Sequence, residues 1–167
     1  MDQQVAFPCG GRNKIDICYY DPSAERLVFA VVRRIDDPRL LVPKEQPELV
    51  DELKACSAWI ERERDAIVSA CTEVIRLKRQ LGLGDRLQGV PQNGLSVETK
   101  PVLVIGYCTP QEVREMRSIS KGEHTNTRWS GLWKHLADVC CGVILCGADG
   151  CRLDIRRNDR RRWHFGK

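Results

Sequence analysis

The sequence has no apolar run close to the roughly 20 residues that a transmembrane helix requires. Its opening residues, MDQQVAFPCGG, lack the basic start and apolar centre of a secretory signal. We therefore expect a cytoplasmic protein that does not insert into a membrane. A phosphate-binding nucleotide loop and the GxSxG motif of serine hydrolases are also missing, so these two enzyme classes are not indicated.

Disulfide bonds and structural zinc are not expected, although the chain contains nine cysteines. Their number is odd and they are scattered through predicted strands and helices, so reduced and mostly buried thiols are the better interpretation. Four lie near the carboxyl end, at Cys140, Cys141, Cys146 and Cys151. Zinc ligands usually come in pairs separated by roughly two to four residues, and this spacing matches poorly.

Positive charge is concentrated at the carboxyl end of a chain whose formal net charge is +4. Residues 152–167 contain seven basic and two acidic residues, a local charge of +5, which leaves −1 for the rest. We expect residues 156–167 to be a flexible basic tail that contacts the phosphates of DNA or RNA. Its arginines are Arg156, Arg157, Arg160, Arg161 and Arg162. The alternative is a solvated tail that only increases solubility.

The 167 residues, 42% of them hydrophobic, are enough for one domain over 1–167 with its own core. Apolar spacing and turn residues predict an alternating order of strands and helices. Strands are predicted at 26–35 and 101–106, helices at 48–81, 110–119 and 127–140, and a closing hairpin at 143–155. The charged residues 61–65 are expected to bend or break the long helix, and Thr109 is a candidate N-cap. Trp129 and Trp133 are four apart, so we expect them to pack in the core.

The most informative motif lies near the amino end. Asp16 stands among apolar residues of a first strand, a turn is predicted at residues 21–23, and a second strand runs into DDPRL at residues 36–40. Val31 and Arg33 are two apart on that second strand, so their side chains share one face. This order resembles the PD-(D/E)XK nuclease superfamily, in which an acid on the first strand is followed on the second by an acid, any residue and a lysine. A central strand buried on both faces by helices is the other interpretation of residues 26–35.

The resemblance implies a magnesium site in which two carboxylates hold the metal and a lysine positions the attacking water. Asp16 would be the surviving metal ligand. Val31 stands where the second acid would be and holds no metal, while Arg33 stands where the lysine would be. Arginine binds phosphate well but is a poor general base, so Arg33 is expected to contact phosphate, with Arg34 as a further nucleic-acid contact. Magnesium binding and cleavage would then be weak or absent; an active form would be a Mg²⁺-dependent endonuclease or exonuclease.

Glu52, on the helix after the second strand, is a candidate for the missing metal ligand. If the first turns of that helix pack on the Val31 and Arg33 face, Glu52 and Asp16 form a displaced carboxylate pair. The alternative is that Glu48, Asp51 and Glu52 form a solvated acidic turn that offsets the helix dipole.

We therefore expect an α/β fold with a mixed central sheet flanked by helices, a restriction-endonuclease-like core and a C-terminal β-hairpin. The resemblance covers roughly residues 12–107. Because few residues precede the first strand, the helix that opens the family's fold has no room, and we expect either a fragment of a longer chain or another cover for the sheet edge. The expected function is that of a nuclease-like protein that acts on or binds nucleic acid. The alternative is a non-catalytic interaction subunit that uses its basic tail and pairs with a partner or with a second copy.

Overall fold

The computed structural model describes residues 7–8, 14–40, 47–83, 87, 89–91, 94–121, 123, 129–147, 152–157 and 163–165. Of residues 7–8, 152–157 and 163–165 it gives the path of the strands. The strands are β1 (Phe7–Pro8), β2 (Lys14–Ile15), β3 (Ile17–Asp21), β4 (Arg26–Arg34), β5 (Ser96–Val97), β6 (Val102–Cys108), β7 (Gly142–Gly147), β8 (Arg152–Arg157) and β9 (Trp163–Phe165). The helices are α1 (Glu48–Arg62), α2 (Arg64–Gln80), α3 (Pro110–Ser120) and α4 (Ser130–Val139), with a 3₁₀ turn, η1 (Pro38–Leu40).

The predicted turn between the first two strands is confirmed. The Asp21 carboxylate accepts hydrogen bonds from the backbone N–H and the hydroxyl of Ser23, at 3.0 and 2.5 Å. A short side chain of this kind stabilises a turn by replacing a backbone acceptor. The turn brings β3 antiparallel to β4. Asp16 lies just before β3, and its N–H donates to the carbonyl of Ala30 on β4 at 3.0 Å.

The main sheet mixes parallel and antiparallel strands in the order β3-β4-β6-β7-β8-β9, with β5 beside β4. Neighbours β4, β6 and β7 are parallel, whereas the β3–β4, β7–β8 and β8–β9 pairs are antiparallel. The β7–β8 pairing confirms the predicted closing hairpin, whose turn at 148–151 lies outside the described residues. Two successive crossovers, β4 to β6 and β6 to β7, advance in the same direction along the sheet. Because such crossovers are right-handed, both sets of helices are placed on one face.

The packing of the core agrees with this placement. Alternate residues of β4, namely Leu27, Phe29 and Val31, belong to one buried cluster together with the buried residues of all four described helices. Val28 and Ala30, which point the other way, form a second small cluster with residues of β6 and β7. Among the described residues, no helix contributes to this second cluster. β4 is buried on both faces, as the interpretation of a buried central strand expected, but in the described part of the chain helices cover only the face that carries Leu27, Phe29 and Val31.

Local signals place the helix ends. The predicted long helix is divided at Glu63 into α1 and α2, within the charged segment expected to break it. Thr109 caps α3 as predicted, in a capping box with Glu112: the Glu112 N–H donates to the Thr109 hydroxyl at 3.3 Å, and the Thr109 N–H donates to the Glu112 carboxylate at 2.8 Å. Trp129 and Trp133 are buried, which confirms their predicted place in the core.

Residues 156–167 do not form a tail throughout. Arg156 and Arg157 lie in β8, and β9 pairs antiparallel with them. The strand pairing gives this segment backbone partners, which a pattern of charges alone does not reveal. Arg160, Arg161 and Arg162 lie outside the described residues.

Seven cysteines lie within the described residues: Cys56, Cys108 and Cys140 are buried, and Cys18, Cys71, Cys141 and Cys146 are half-buried. Cys18 on β3 and Cys71 on α2 are hydrogen-bonded through their side chains, which lowers the pKa of Cys71 to about 7 and raises that of Cys18. None of the helices in the described part of the chain is long and apolar enough to cross a bilayer.

Candidate functional site

The residues of the predicted site meet where β4 ends. Arg33 points to the face of the sheet that the helices cover, as Val31 does, and only 11% of its side chain is exposed. Asp16 reaches it from the neighbouring strand, where its Oδ2 also accepts a hydrogen bond from the Val32 N–H at 2.8 Å. Glu52 reaches it from the first turns of α1 and is 5% exposed. The end of β4, the start of β3 and the first turns of α1 therefore meet at the Arg33 guanidinium.

Arg33 binds oxygen atoms on several sides. Its Nη1 donates to the Asp16 carboxylate at 3.2 Å and to the Val32 carbonyl at 2.5 Å. Its Nη2 donates to Oε1 of Glu52 in a short hydrogen bond, and its Nε lies 3.9 Å from Oδ2 of Asp37. We call these oxygen atoms of Asp16, Val32, Asp37 and Glu52 the carboxylate cage. Such charge-assisted hydrogen bonds are stronger than neutral ones and hold the guanidinium in place.

A second arginine closes the outer side of the carboxylate cage. Arg39, on η1, donates to both carboxylate oxygens of Asp37, at 3.0 and 2.6 Å, and to Oε2 of Glu52 at 3.3 Å. The hydrogen bond from Arg39 holds the pKa of the Asp37 carboxyl below its usual value, and the same contact raises the pKa of Arg39. Of the three carboxylates that face Arg33, Asp37 and Glu52 are thus also bonded to Arg39.

Asp37 and Arg39 were missed as site residues by the sequence analysis, which used the DDPRL sequence only to align the second strand. The available signal was their position directly after the carboxyl end of a parallel strand. Ligand sites of open α/β sheets form outside such strand ends.

Magnesium does not fit the carboxylate cage as it stands. The cage offers the oxygen ligands that Mg²⁺ prefers, but the Arg33 guanidinium lies among them. Val31, at the position of the second acid, is fully buried in the core. Among the described residues, no three histidine, cysteine, aspartate or glutamate side chains are grouped so that they could hold a metal ion. The Arg33 guanidinium therefore occupies the space among these oxygen atoms.

Arg34, the next residue, lies on the outer surface. It pairs with Asp36 through two hydrogen bonds of 3.0 Å, and its Cζ lies 4.9 Å from the centre of the Tyr107 ring. The hydrogen bond from Arg34 holds the pKa of Asp36 below its usual value. A guanidinium at this distance from an aromatic ring makes a cation–π contact. This pair places an exposed charge and an exposed ring beside each other.

Tyr107 has an unusual backbone conformation for its exposed position. Its φ is 63°, in the left-handed region, and it stands at an irregularity between Gly106 and Cys108 in the pairing of β6 with β7. This conformation costs a residue with a side chain roughly 1–2 kcal/mol. The ring is 62% exposed, so burial of the ring does not offset this cost. Strain of this kind is found most often at functional sites.

An open cleft of about 600 Å³ lies at this end of the sheet. It is lined by Val32, Arg33, Arg34, Asp36, Asp37, Pro38 and Arg39. The lining therefore carries three positive and two negative side chains, and the Tyr107 ring borders it through its contact with Arg34. The cleft joins the carboxylate cage to the exposed Arg34 and Tyr107 pair.

The structure brings Asp16, Arg33 and Glu52 together as the displaced-ligand interpretation required. The alternative of a fully solvated acidic turn is wrong for Glu52, which is buried, whereas Glu48 and Asp51 are exposed. The expected phosphate contact by Arg33 is not supported by this geometry, because its guanidinium is buried and bonded to carboxylates. Arg34 is exposed as a nucleic-acid contact would need to be.

Comparison of the chain with protein-family models, with curated proteins and with solved structures gave no match.

Proposed function

We propose that this chain is a PD-(D/E)XK-like domain that binds nucleic acid and has lost metal-dependent hydrolysis. The observation that carries the proposal is the bonding of the Arg33 guanidinium to both Asp16 and Glu52. The displaced-ligand interpretation, one of the two that the sequence left open for Glu52, places these three residues in one site, although they lie on different elements and up to 36 positions apart in the sequence. If β4 were only a buried strand of the core, nothing in the sequence would have suggested that Asp16, Arg33 and Glu52 lie together.

Loss of hydrolysis follows from the chemistry of the carboxylate cage. Arginine stays protonated at working pH and cannot accept a proton from water. Its charge also stands among the oxygen atoms that would hold the metal, so a second cation there would be repelled. Without a metal, no group in the cage lowers the pKa of water or stabilises the charge that develops on phosphate.

Nucleic-acid binding is supported by the outer half of the cleft. Arg34 is 65% exposed, and its partner Asp36 is 64% exposed, so a phosphate can replace Asp36 at this guanidinium. The Tyr107 ring beside it presents an aromatic face for a base. The cage and its arginines carry a net charge of −1, from three carboxylates and two guanidinium groups. Phosphates are therefore expected at Arg34 rather than inside the cage. The basic residues of the carboxyl end would add non-specific attraction.

Fluorescence anisotropy with labelled single-stranded DNA, duplex DNA and RNA tests this binding surface. Base stacking on an aromatic side chain contributes about 1–3 kcal/mol, so Tyr107→Ala is expected to weaken single-strand binding roughly tenfold. Arg34→Met is expected to weaken the binding of all three nucleic acids, because it removes a phosphate contact. Arg76→Met is the matched control, since Arg76 is an exposed arginine of α2 that is also paired with one carboxylate, on Glu73.

Equal losses for Arg34→Met and Arg76→Met would show only a general effect of charge and would remove Arg34 from the site. No binding of any nucleic acid by the unaltered protein would reject the proposed function itself.

A further inference from the structure

The end of α2 carries an exposed apolar stripe. Val74, Leu77 and Leu81 are 42, 43 and 73% exposed, and Leu83 just beyond them is 57% exposed. The other large hydrophobic residue that is exposed within the described part of the chain is Tyr107. Leu81 continues the helix, since its N–H donates to the Leu77 carbonyl at 3.0 Å. Exposed apolar residues that are grouped in this way mark an interaction surface more often than scattered ones do.

The spacing of the stripe is that of a helix-pairing seam. Ala70, Val74, Leu77 and Leu81 follow one another at intervals of four, three and four, and all four are exposed. Intervals of three and four are the a and d positions of a coiled coil. Ile67 and Ile75 attach α2 to the core, and Ile67 lies one heptad before Val74, so the exposed run borders the core side of the helix. Val74, Leu77 and Leu81 themselves remain exposed beside that core side.

Charges beside the stripe specify how a partner helix would lie. With Val74 and Leu81 at a and Leu77 at d, Glu73 falls at g and Lys78 at e, on opposite edges of the stripe. In a parallel pair of identical helices, each g residue meets the e residue that lies five positions later on the other helix. Glu73 of each copy would then face Lys78 of the other. An antiparallel pair would bring g edges together and e edges together, which joins like charges.

We infer that the stripe pairs in parallel with the same stripe of a second copy of this chain. A two-fold symmetric contact uses the same patch on both copies and therefore closes without leaving a free patch. The pairing does not depend on nucleic-acid binding, because α2 supplies none of the cleft residues. The contact would place two clefts in one assembly.

Sedimentation equilibrium of the full chain over a range of concentrations measures the pairing. A monomer–dimer equilibrium is expected, and Leu77→Glu should raise its dissociation constant by roughly tenfold or more, because it places an unpaired charge in the seam. Ser69→Glu is the control: it adds the same charge to an exposed position of α2 outside the stripe and should leave the equilibrium unchanged. A monomer at every concentration, or a dimer equally stable with Leu77→Glu, would overturn the inference.

The direction of pairing has its own test. Glu73→Lys and Lys78→Glu should each weaken the dimer, and the double variant should restore it, because the parallel arrangement again joins opposite charges. Circular dichroism of each variant checks that the helix is kept, since Glu73 also pairs with Arg76 within α2. A double variant as weak as the single ones would overturn the parallel arrangement.

Discussion

Replacement of Arg33 by methionine is expected to lower the free energy of unfolding by about 3–5 kcal/mol, the usual cost of breaking a buried ion pair from one side. Methionine keeps much of the volume but removes the charge that Asp16 and Glu52 face. Glu52 would then be a buried carboxylate with Arg39 as its remaining ion-pair partner among the described contacts. Because Arg39 also binds Asp37, the loss is expected at the lower end of this range.

Urea denaturation of the two proteins side by side measures this loss. Arg34→Met is the matched control, since it removes a neighbouring arginine of the same strand whose pair with Asp36 is 65% and 64% exposed. An exposed ion pair contributes little to stability, so the control should unfold close to the unaltered protein. Equal losses for the two variants would show that Arg33 does not hold the carboxylate cage together.

Asp37 adds a pH dependence to the stability of the unaltered protein, which urea denaturation at a series of pH values measures. Its folded-state pKa is depressed by Arg39, so its charge contributes stability above the unfolded value of about 3.9. That contribution is lost as pH falls through the still lower folded value. The contribution of Asp37 should therefore be complete at neutral pH and fall away only in strong acid.

The double substitution Val31→Glu with Arg33→Lys is expected to produce Mg²⁺-dependent DNA cleavage. Glutamate at position 31 would share a face with residue 33 and supply the missing acid, and lysine is a smaller cation that can position water. The site would then hold four carboxylates, the introduced lysine and Arg39, which leaves a charge of −2 for one Mg²⁺ to neutralise. Plasmid nicking with Mg²⁺, and its loss on addition of a chelator, is the measurement.

Val32→Glu with Arg33→Lys is the control for this experiment. The Val32 side chain points to the opposite face of β4, so the same acid placed one residue later points away from the face that carries Arg33 and Glu52. Adding Asp16→Ala to the active pair should abolish the new cleavage. A Val31→Glu, Arg33→Lys variant that is folded by circular dichroism but inert would count against an ancestral metal site.

Local sequence signals predicted the elements well, because the groups that decide them are close in the chain. The Asp21 turn and the Thr109 cap each depend on contacts within three residues. The division of the long helix at Glu63 was likewise predicted from the charged residues around it. The sequence favoured an exposed Glu52 over a buried one, because carboxylates in a first helical turn are usually solvated. Its burial depends on Arg33, which is 19 positions away and reaches it only after β4 and α1 have packed.

The placement of helices on one face also depends on contacts far apart in sequence. An apolar strand such as residues 27–32 looks the same whether one or both faces are covered by helices. The order β4-β6-β7 and the handedness of the crossovers decide the matter, and neither is visible in the residues of the strand.

The most direct test of a carboxylate cage closed by Arg33 is an assay of cleavage and binding on the same samples. Plasmid, single-stranded DNA and RNA are incubated with the unaltered protein or Asp16→Ala, in Mg²⁺ or Mn²⁺, and scored for strand breaks and for bound protein. If Arg33 closes the cage, the unaltered protein and Asp16→Ala should both bind nucleic acid and neither should produce strand breaks. Cleavage by the unaltered protein that disappears with Asp16→Ala would contradict it, because a metal would then be working where the Arg33 guanidinium lies.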